Sequence, residues 1–280
     1  MANDEKAIEG FFCPAKIFMQ DLKSKRPGKA SGKKSKDSSV GAGVFDWLAP
    51  HYDRLEPHLD PCRFAVHSII LDILNALDPS PATILDLGCG TGLLSQQILE
   101  LLPDSRLYGL DGSLAMLQTA KQNLEGFQGR YTLIKADFRD PWEDALKEPP
   151  DVVVHYGALH HLPHHALREV FARLAGTLRP GGWFLTGDVV DLPLPEPIKR
   201  IAEEIWTFRA ESSRTELGED ASLLDDFEAL RQANMENNGI SDPPPMAEQQ
   251  ITWMLEAGFE FAVRLYQDWR VSLFAARKPE

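Results

Sequence analysis

Cysteine is scarce in this chain: three in 280 residues, at Cys13, Cys62 and Cys89. An odd, scattered set does not build a disulfide framework and suits a reducing compartment, so a cytoplasmic protein is expected. No apolar run approaches the roughly 18 residues that a membrane span requires. Charges begin close to the N-terminus, and no apolar block precedes a small-residue cleavage site, so neither a secretory leader nor a membrane role is expected. Positive charge is in deficit, with 29 Lys and Arg against 42 Asp and Glu and a formal charge of −13. That balance argues against broad nucleic-acid binding, because phosphates would be repelled.

What basic charge there is clusters early. Residues 23–36 read "KSKRPGKASGKKSK", rich in Gly and Ser and without a large apolar residue. Such a stretch buries too little surface to offset its ordering entropy. Residues 1–43 are therefore expected to form a flexible basic arm or linker, and 44–280 the folded domain. Hydrophobic content of 43% is ordinary for a globular core of that size.

From residue 82 onward, strand and helix patterns alternate. "ATILDLG", "RLYGLD", "YTLIKAD", "DVVVHYGA" and "GWFLTGDVV" are short apolar runs, separated by amphipathic stretches such as "TGLLSQQILELLP". Ser113 is a plausible cap for the second helix. This alternation specifies a parallel sheet covered on both faces. "FEFAVRLYQDW" and "RVSLFAARK" then follow without a helix between them, so they must pair antiparallel. The expected fold is α/β: a doubly wound, mostly parallel seven-stranded sheet ending in an antiparallel hairpin. Residues 191–245 interrupt the pattern between "DLPLPEP" and "SDPPP", and are expected to be a helical lid. Trp206, Phe208, Leu223 and Phe227 are candidate pocket walls within it.

Ligands of such sheets bind beyond the C-terminal strand ends, near the order reversal. The first strand ends in "DLGCGTG", with Asp86 inside the turn and Gly88, Cys89 and Gly90 following. Glycine there permits positive φ and close backbone approach. The second strand ends at Asp111 and Gly112, where a carboxylate can accept ribose hydroxyls. The third ends at Asp137 and Phe138, an acceptor for an exocyclic amine beside an aromatic face. The dinucleotide fingerprint is not met, since its sixth position is Leu93. Asp86 would repel a pyrophosphate and suit a cation. A ligand with ribose, adenine and positive charge but no phosphate is S-adenosylmethionine.

"ILDLGCGTG", "YGLDGSLAML", "KADF", "ALHHL" and "LRPGGWFLTGD" stand in the order found in class I S-adenosylmethionine-dependent methyltransferases. Residues 44–280 resemble the small-molecule branch of that family, often labelled methyltransferase type 11, 12 or 25. The resemblance implies a Rossmann-like methyltransferase fold and S-adenosylmethionine as cofactor. It implies Asp86 at the methionine amino end, Gly88 and Gly90 under the ligand, Asp111 on the ribose, and Asp137 with Phe138 at adenine. It also implies that Tyr52, in "FDWLAPHYDRL", closes over the methionine. Gly112 departs from the pattern, because relatives often carry an apolar side chain there against adenine; Leu114 or Phe138 would have to supply that contact.

"HYGALHHLPHH", residues 155–165, holds five of the eight histidines. The i, i+4 pairs His160/His164 and His161/His165 would suit a metal on one continuous helix. Pro163 divides them, since proline belongs in a helix's first turn and keeps its predecessor out of helical geometry. No metal is therefore expected, and His164 and His165 are expected to be exposed first-turn residues. His155, Tyr156 and His160 lie at or just past the fourth strand end, where the transferred methyl would face. They are the candidate catalytic residues, with His160 foremost as a base; the bland reading is that "ALHHL" only shapes the loop.

The function expected is methyl transfer from S-adenosylmethionine to a small-molecule acceptor. The alternatives are a tRNA or protein methyltransferase docking through the basic arm, and a non-catalytic S-adenosylmethionine-binding regulator. The acceptor atom and the oligomeric state are not legible in the sequence.

Overall fold

The computed structural model describes residues 42–60, 62–226, 229–230 and 242–280. The basic arm and Phe227 lie outside the described residues, as does the side chain of Trp206.

Seven strands form one sheet: β1 (Thr83–Leu87), β2 (Arg106–Asp111), β3 (Tyr131–Lys135), β4 (Val152–Tyr156), β5 (Trp183–Val189), β6 (Phe261–Asp268) and β7 (Val271–Arg277). Their order is β3-β2-β1-β4-β5-β7-β6. The first five are parallel, and β7 pairs antiparallel with both β5 and β6. The doubly wound sheet with a closing hairpin is thus as expected. The chain leaves β1 toward β2 on one side and reaches β4 on the other, so the order reverses between β1 and β4. The crevice of this fold lies there.

The helices are α1 (Ala42–Leu48), α2 (Tyr52–Leu59), α3 (Arg63–Ala76), α4 (Leu93–Leu101), α5 (Leu114–Asn123), α6 (His164–Thr177), α7 (Glu196–Leu217) and α8 (Ala247–Glu256). Ser113 caps α5 as expected, its hydroxyl accepting from the Met116 N–H at 3.1 Å. Period-two alternation sends the residues of the central strands alternately into two apolar layers. Leu85, Leu87, Leu110, Val153 and Phe184 face α6 and α8, packing on Leu167, Phe171 and Met254. Ile84, Leu107, Val154, Leu185 and Leu273 face α3 and α4, packing on Val66, Ile70 and Ile98. Each such fully buried side chain contributes about 1.5–3 kcal/mol of transfer free energy, so the interior of the sheet is rigid and its strand ends are fixed in space.

A third, smaller apolar cluster joins α1 and α2 to the insertion. Leu48, Leu55 and Met116 pack with Leu217, Leu223 and Leu224. Arg54 pairs with Asp220 at 3.1 Å, and His58 faces Glu216 at 3.5 Å. A parallel bridge between Asp191 and Met246 closes the base of the insertion. No helix among the described residues is long and apolar enough to cross a membrane.

Candidate active site

The turn after β1 takes its shape from three glycines in left-handed geometry, Gly88 (φ 78°), Gly90 (φ 52°) and Gly92 (φ 79°). At Gly88 the conformation is compounded by crowding. A Cβ there would stand 2.9 Å from the Ala158 Cβ and 3.2 Å from the Phe138 ring. The Gly88 and Cys89 N–H groups donate to the Leu110 carbonyl at 2.7 and 3.0 Å, tying the turn to the end of β2. Cys89 turns its buried thiol into the sheet beside Gly109.

Three carboxylates ring this turn. Asp86 is buried in β1 and accepts the Ser95 hydroxyl at 2.6 Å. Burial lifts its pKa to about 7; the Ser95 hydrogen bond opposes the rise and the Asp111 charge adds to it. Asp111, at the end of β2, accepts the Gly90 N–H at 2.9 Å and the Ser113 N–H at 2.7 Å. Burial raises its pKa against those two N–H groups. Asp137 accepts Arg139 at both oxygens, 2.8 and 2.7 Å. Although burial raises it, the arginine holds its carboxyl below the usual range.

Asp111 and Asp137 border one cleft at the order reversal, of about 710 Å³ counting its open mouth, with Gly88, Gly112, Phe138 and Tyr156 also on its walls. Met116 and Phe138 supply its apolar face; Leu114, proposed from sequence for that role, is 52% exposed and not part of it. A smaller cavity of about 360 Å³ shares Tyr52, Gly88, Gly90 and Tyr156, and adds Arg63, His67, Asp86 and Cys89. Tyr52 thus stands between the two, and burial pushes its phenol pKa up. The donor set fits S-adenosylmethionine. Asp111 offers ribose hydroxyls an acceptor, and buried Asp86 lies where a cation would relieve its desolvation. The backbone at Gly90 has open space before it, where a ligand can approach, and an acidic turn does not suit a pyrophosphate.

The cap over this cleft is pinned by carboxylates. Asp46 on α1 accepts the Ser113 hydroxyl at 2.6 Å, and Asp53 on α2 accepts the Thr91 hydroxyl at 2.6 Å. Arg63 is buried against Glu56 at 2.7 Å.

Strand alternation separates His155 from Tyr156. Tyr156 faces α3, where its ring meets His67 edge-on at 5.2 Å, and its hydroxyl donates to Asp60. Gly187 on β5 makes room for that ring, since a Cβ would fall 2.7 Å from it. His155 points into the opposite layer and is fully buried. Its Nε2 accepts the Ala158 and Leu159 N–H groups, both at 3.0 Å, so Nδ1–H donates to the Thr186 hydroxyl at 2.8 Å. Burial lowers its pKa to about 4, outweighing the nearby Asp188. Against the expectation that His155 could serve as a base, this geometry commits both ring nitrogens to the loop and keeps the ring out of the cleft.

Pro163 divides the histidine stretch as expected. His160 and His161 sit in a short 3-10 turn (Leu159–His161), and His164 and His165 open α6. His165 is exposed, but His164 is not as expected. It is half-buried beside Trp253, and its Nε2 meets the Pro243 carbonyl at 2.8 Å while its N–H donates to Asp242. No group of three metal-binding side chains occurs among the described residues.

Several site residues escaped sequence reasoning. His161 lines the larger cleft, a placement that only the 3-10 turn reveals. Arg63 and His67 reach the smaller cavity through helix packing, which leaves no local signal. Of the proposed pocket walls in the insertion, Phe208 is 70% exposed and Leu223 packs in the cap cluster.

Residues 84–182 match a family model described as a methyltransferase domain. The trans-aconitate 2-methyltransferase of Acidovorax sp. (strain JS42) is 36% identical over 163 residues, 58% of this chain and 57% of that protein. Its counterpart in Rhodopseudomonas palustris (strain BisB18) is 30% identical over 191 residues, 66% of this chain and 64% of that one. The chain therefore spans a little over half to about two thirds of the length of these relatives. Among solved structures, the N-methyltransferase NodS from Bradyrhizobium japonicum WM9, in complex with S-adenosylhomocysteine, superposes with a TM-score of 0.55 at 16% identity. That match covers 86% of this chain and all of NodS. Human N-acetylserotonin methyltransferase, in complex with S-adenosylmethionine, superposes at 0.51 with 19% identity, covering 86% and 60%. At such identities these two speak for the fold alone. The matched domain and the sheet order agree: residues 84–182 resemble a methyltransferase domain, set in a sheet that has the fold of class I methyltransferases.

Proposed function

We propose that this protein transfers the methyl group of S-adenosylmethionine to a small-molecule acceptor. The observation that carries the reading is the placement of Asp111 and Asp137 on the larger cleft and of Asp86 on the smaller cavity beside it, the two sharing Gly88 and Gly90. When bound, S-adenosylmethionine supplies an electrophilic methyl on a sulfonium. Asp111 and Gly90 hold the ribose side, Phe138 and Met116 the adenine side, and Asp86 with Tyr52 the methionine side. The protein's task in such an in-line displacement is alignment and exclusion of water. We assign the second of these to α1, α2 and the insertion 191–245, which clasp each other through the Leu55–Leu224 cluster and the Arg54–Asp220 pair. The small-molecule acceptor is in keeping with the names of the relatives, which are said to act on trans-aconitate.

Isothermal titration with S-adenosylmethionine and S-adenosylhomocysteine tests the reading. Binding of both is expected, and Asp111→Ala should weaken both by about 1.5–3 kcal/mol, the range for losing a hydrogen bond to a charged group. A protein that binds neither is not a methyltransferase.

A further inference from the structure

The smaller cavity holds a charge that the assignments above leave unused. Arg63, the first residue of α3, lines it and is 4% exposed. Its Nε stands 2.7 Å from Glu56 Oε2, yet neither atom has a hydrogen-bond partner, so the contact is one of charge without hydrogen-bond geometry. Among the described residues the two Nη groups make no hydrogen bond either. Burial pushes the Glu56 carboxyl well above its ordinary pKa, against the pull of Arg63. A carboxyl that burial drives toward its neutral form is a weak counter-ion. His67, the other basic side chain of the cavity, bonds Gln97 Oε1 through Nδ1 at 2.9 Å, and burial lowers its pKa to about 4. Among the described residues that line this cavity, Arg63 is thus the one cation and Asp86 the one carboxylate.

A guanidinium carries five donors in a planar fork, and leaving them unmet in a buried place is unfavourable. The group that matches such a fork is a carboxylate, which accepts two parallel N–H bonds. We propose that Arg63 is a carboxylate-binding residue, and that the smaller cavity is a site for the carboxylate of a small ligand. Two ligands bring that chemistry. The first is the amino-acid end of the cofactor, and here the inference rests on the methyltransferase reading above. Asp86 and Arg63 put opposite charges on one cavity, matching an ammonium and a carboxylate joined through a single carbon. The second is an acidic acceptor, since the cavity shares Tyr52, Gly88, Gly90 and Tyr156 with the larger cleft. The site lies on the cavity wall itself, so no rearrangement is needed for a ligand to meet it.

Isothermal titration of the full chain tests this with S-adenosylhomocysteine and its decarboxylated analogue, S-adenosyl-3-thiopropylamine, which differ only in the carboxylate. Wild type is expected to bind the first about 10- to 100-fold more tightly. Arg63→Met should remove most of that preference and leave the analogue's affinity unchanged, and Arg63→Lys, which keeps the charge without the fork, should retain part of it. For the acidic acceptor, succinate and citrate are titrated into the S-adenosylhomocysteine complex. Binding in wild type that Arg63→Met abolishes assigns the guanidinium to the acceptor instead. A variant that weakens both nucleosides equally, with no carboxylate binding to lose, shows a merely structural arginine and overturns the proposal. An unchanged preference with unchanged succinate and citrate binding overturns it as well. If Arg63→Met fails to fold, the wild type decides: equal affinity for the two nucleosides and no binding of succinate or citrate overturns the proposal, and a preference that Arg63→Lys reduces upholds it. Wild-type protein that binds neither nucleoside sinks the methyltransferase reading instead. Succinate or citrate binding to that protein, lost in Arg63→Met, still upholds the carboxylate site, and its absence ends the proposal too.

Discussion

Gly88 and Asp86 lie two positions apart, and each makes the cleft possible at a cost to the unliganded fold. Gly88→Ala would force a Cβ into left-handed geometry, 2.9 Å from Ala158. A loss of about 1–3 kcal/mol in urea denaturation is expected, together with weakened S-adenosylhomocysteine binding. Asp86 is raised on folding from its ordinary 3.8 to about 7. A group raised in the folded state contributes fully below its unfolded value and loses that contribution as pH climbs through its folded value. Asp86→Asn should therefore stabilise the unliganded protein at pH 8, by at most about 4 kcal/mol, and do little at pH 3. The same change should weaken S-adenosylmethionine binding by removing the ammonium's partner. Equal denaturation midpoints for the two proteins at pH 8 would contradict this account. The cavity-lining positions of Asp86, Gly88, Asp111 and Asp137 were legible because each lies at or near the end of a strand whose apolar run marks its own terminus. His155 was misread because a strand end has two faces, and a sequence names the end more readily than the face.

At the level of elements, the segment from β4 into α6 shows how one side chain can organise a turn. His155 holds the Ala158 and Leu159 N–H groups from inside the sheet. Replacing it with Phe leaves those donors buried without an acceptor, at about 1–3 kcal/mol for each group left unsatisfied. Amide exchange at Ala158 and Leu159 should accelerate, and the cleft wall they form should loosen. The sign with pH is opposite to that of Asp86. His155 is depressed from 6.5 to about 4, so its contribution is complete above 6.5 and is lost as pH falls through 4. Set against the opposite trend of Asp86, the His155 contribution shows in the comparison: as pH falls through that window, wild-type protein should lose stability relative to His155→Phe. The division of the histidine stretch at Pro163 was readable because proline's ring acts locally. The tie between His164 and the Asp242–Pro243 segment was not, because those residues are 78 and 79 positions away.

At the scale of the whole molecule, charge and architecture lead in one direction. With a formal charge of −13 concentrated outside the early basic stretch, the folded domain is poorly suited to a polyanionic acceptor. Deleting residues 1–41 should leave S-adenosylhomocysteine affinity and transfer to small acceptors within about twofold, a difference of about 0.4 kcal/mol. Loss of transfer with cofactor binding intact would instead point to a macromolecular acceptor guided by the basic stretch. The alternation of strand and helix patterns determined a doubly wound sheet from sequence alone, because hydrophobic periodicity is a local property of the chain. It also located the cleft, since the crevice of such a sheet lies at strand ends that the same periodicity marks. Which distant groups pair beside the cleft was decided only by tertiary structure. Asp60 and Tyr156 are 96 residues apart, and Asp188 and His160 are 28 apart. Such pairs exist only once packing of the sheet and its helices has brought distant strand and helix ends together, and no local pattern in the sequence records that distance.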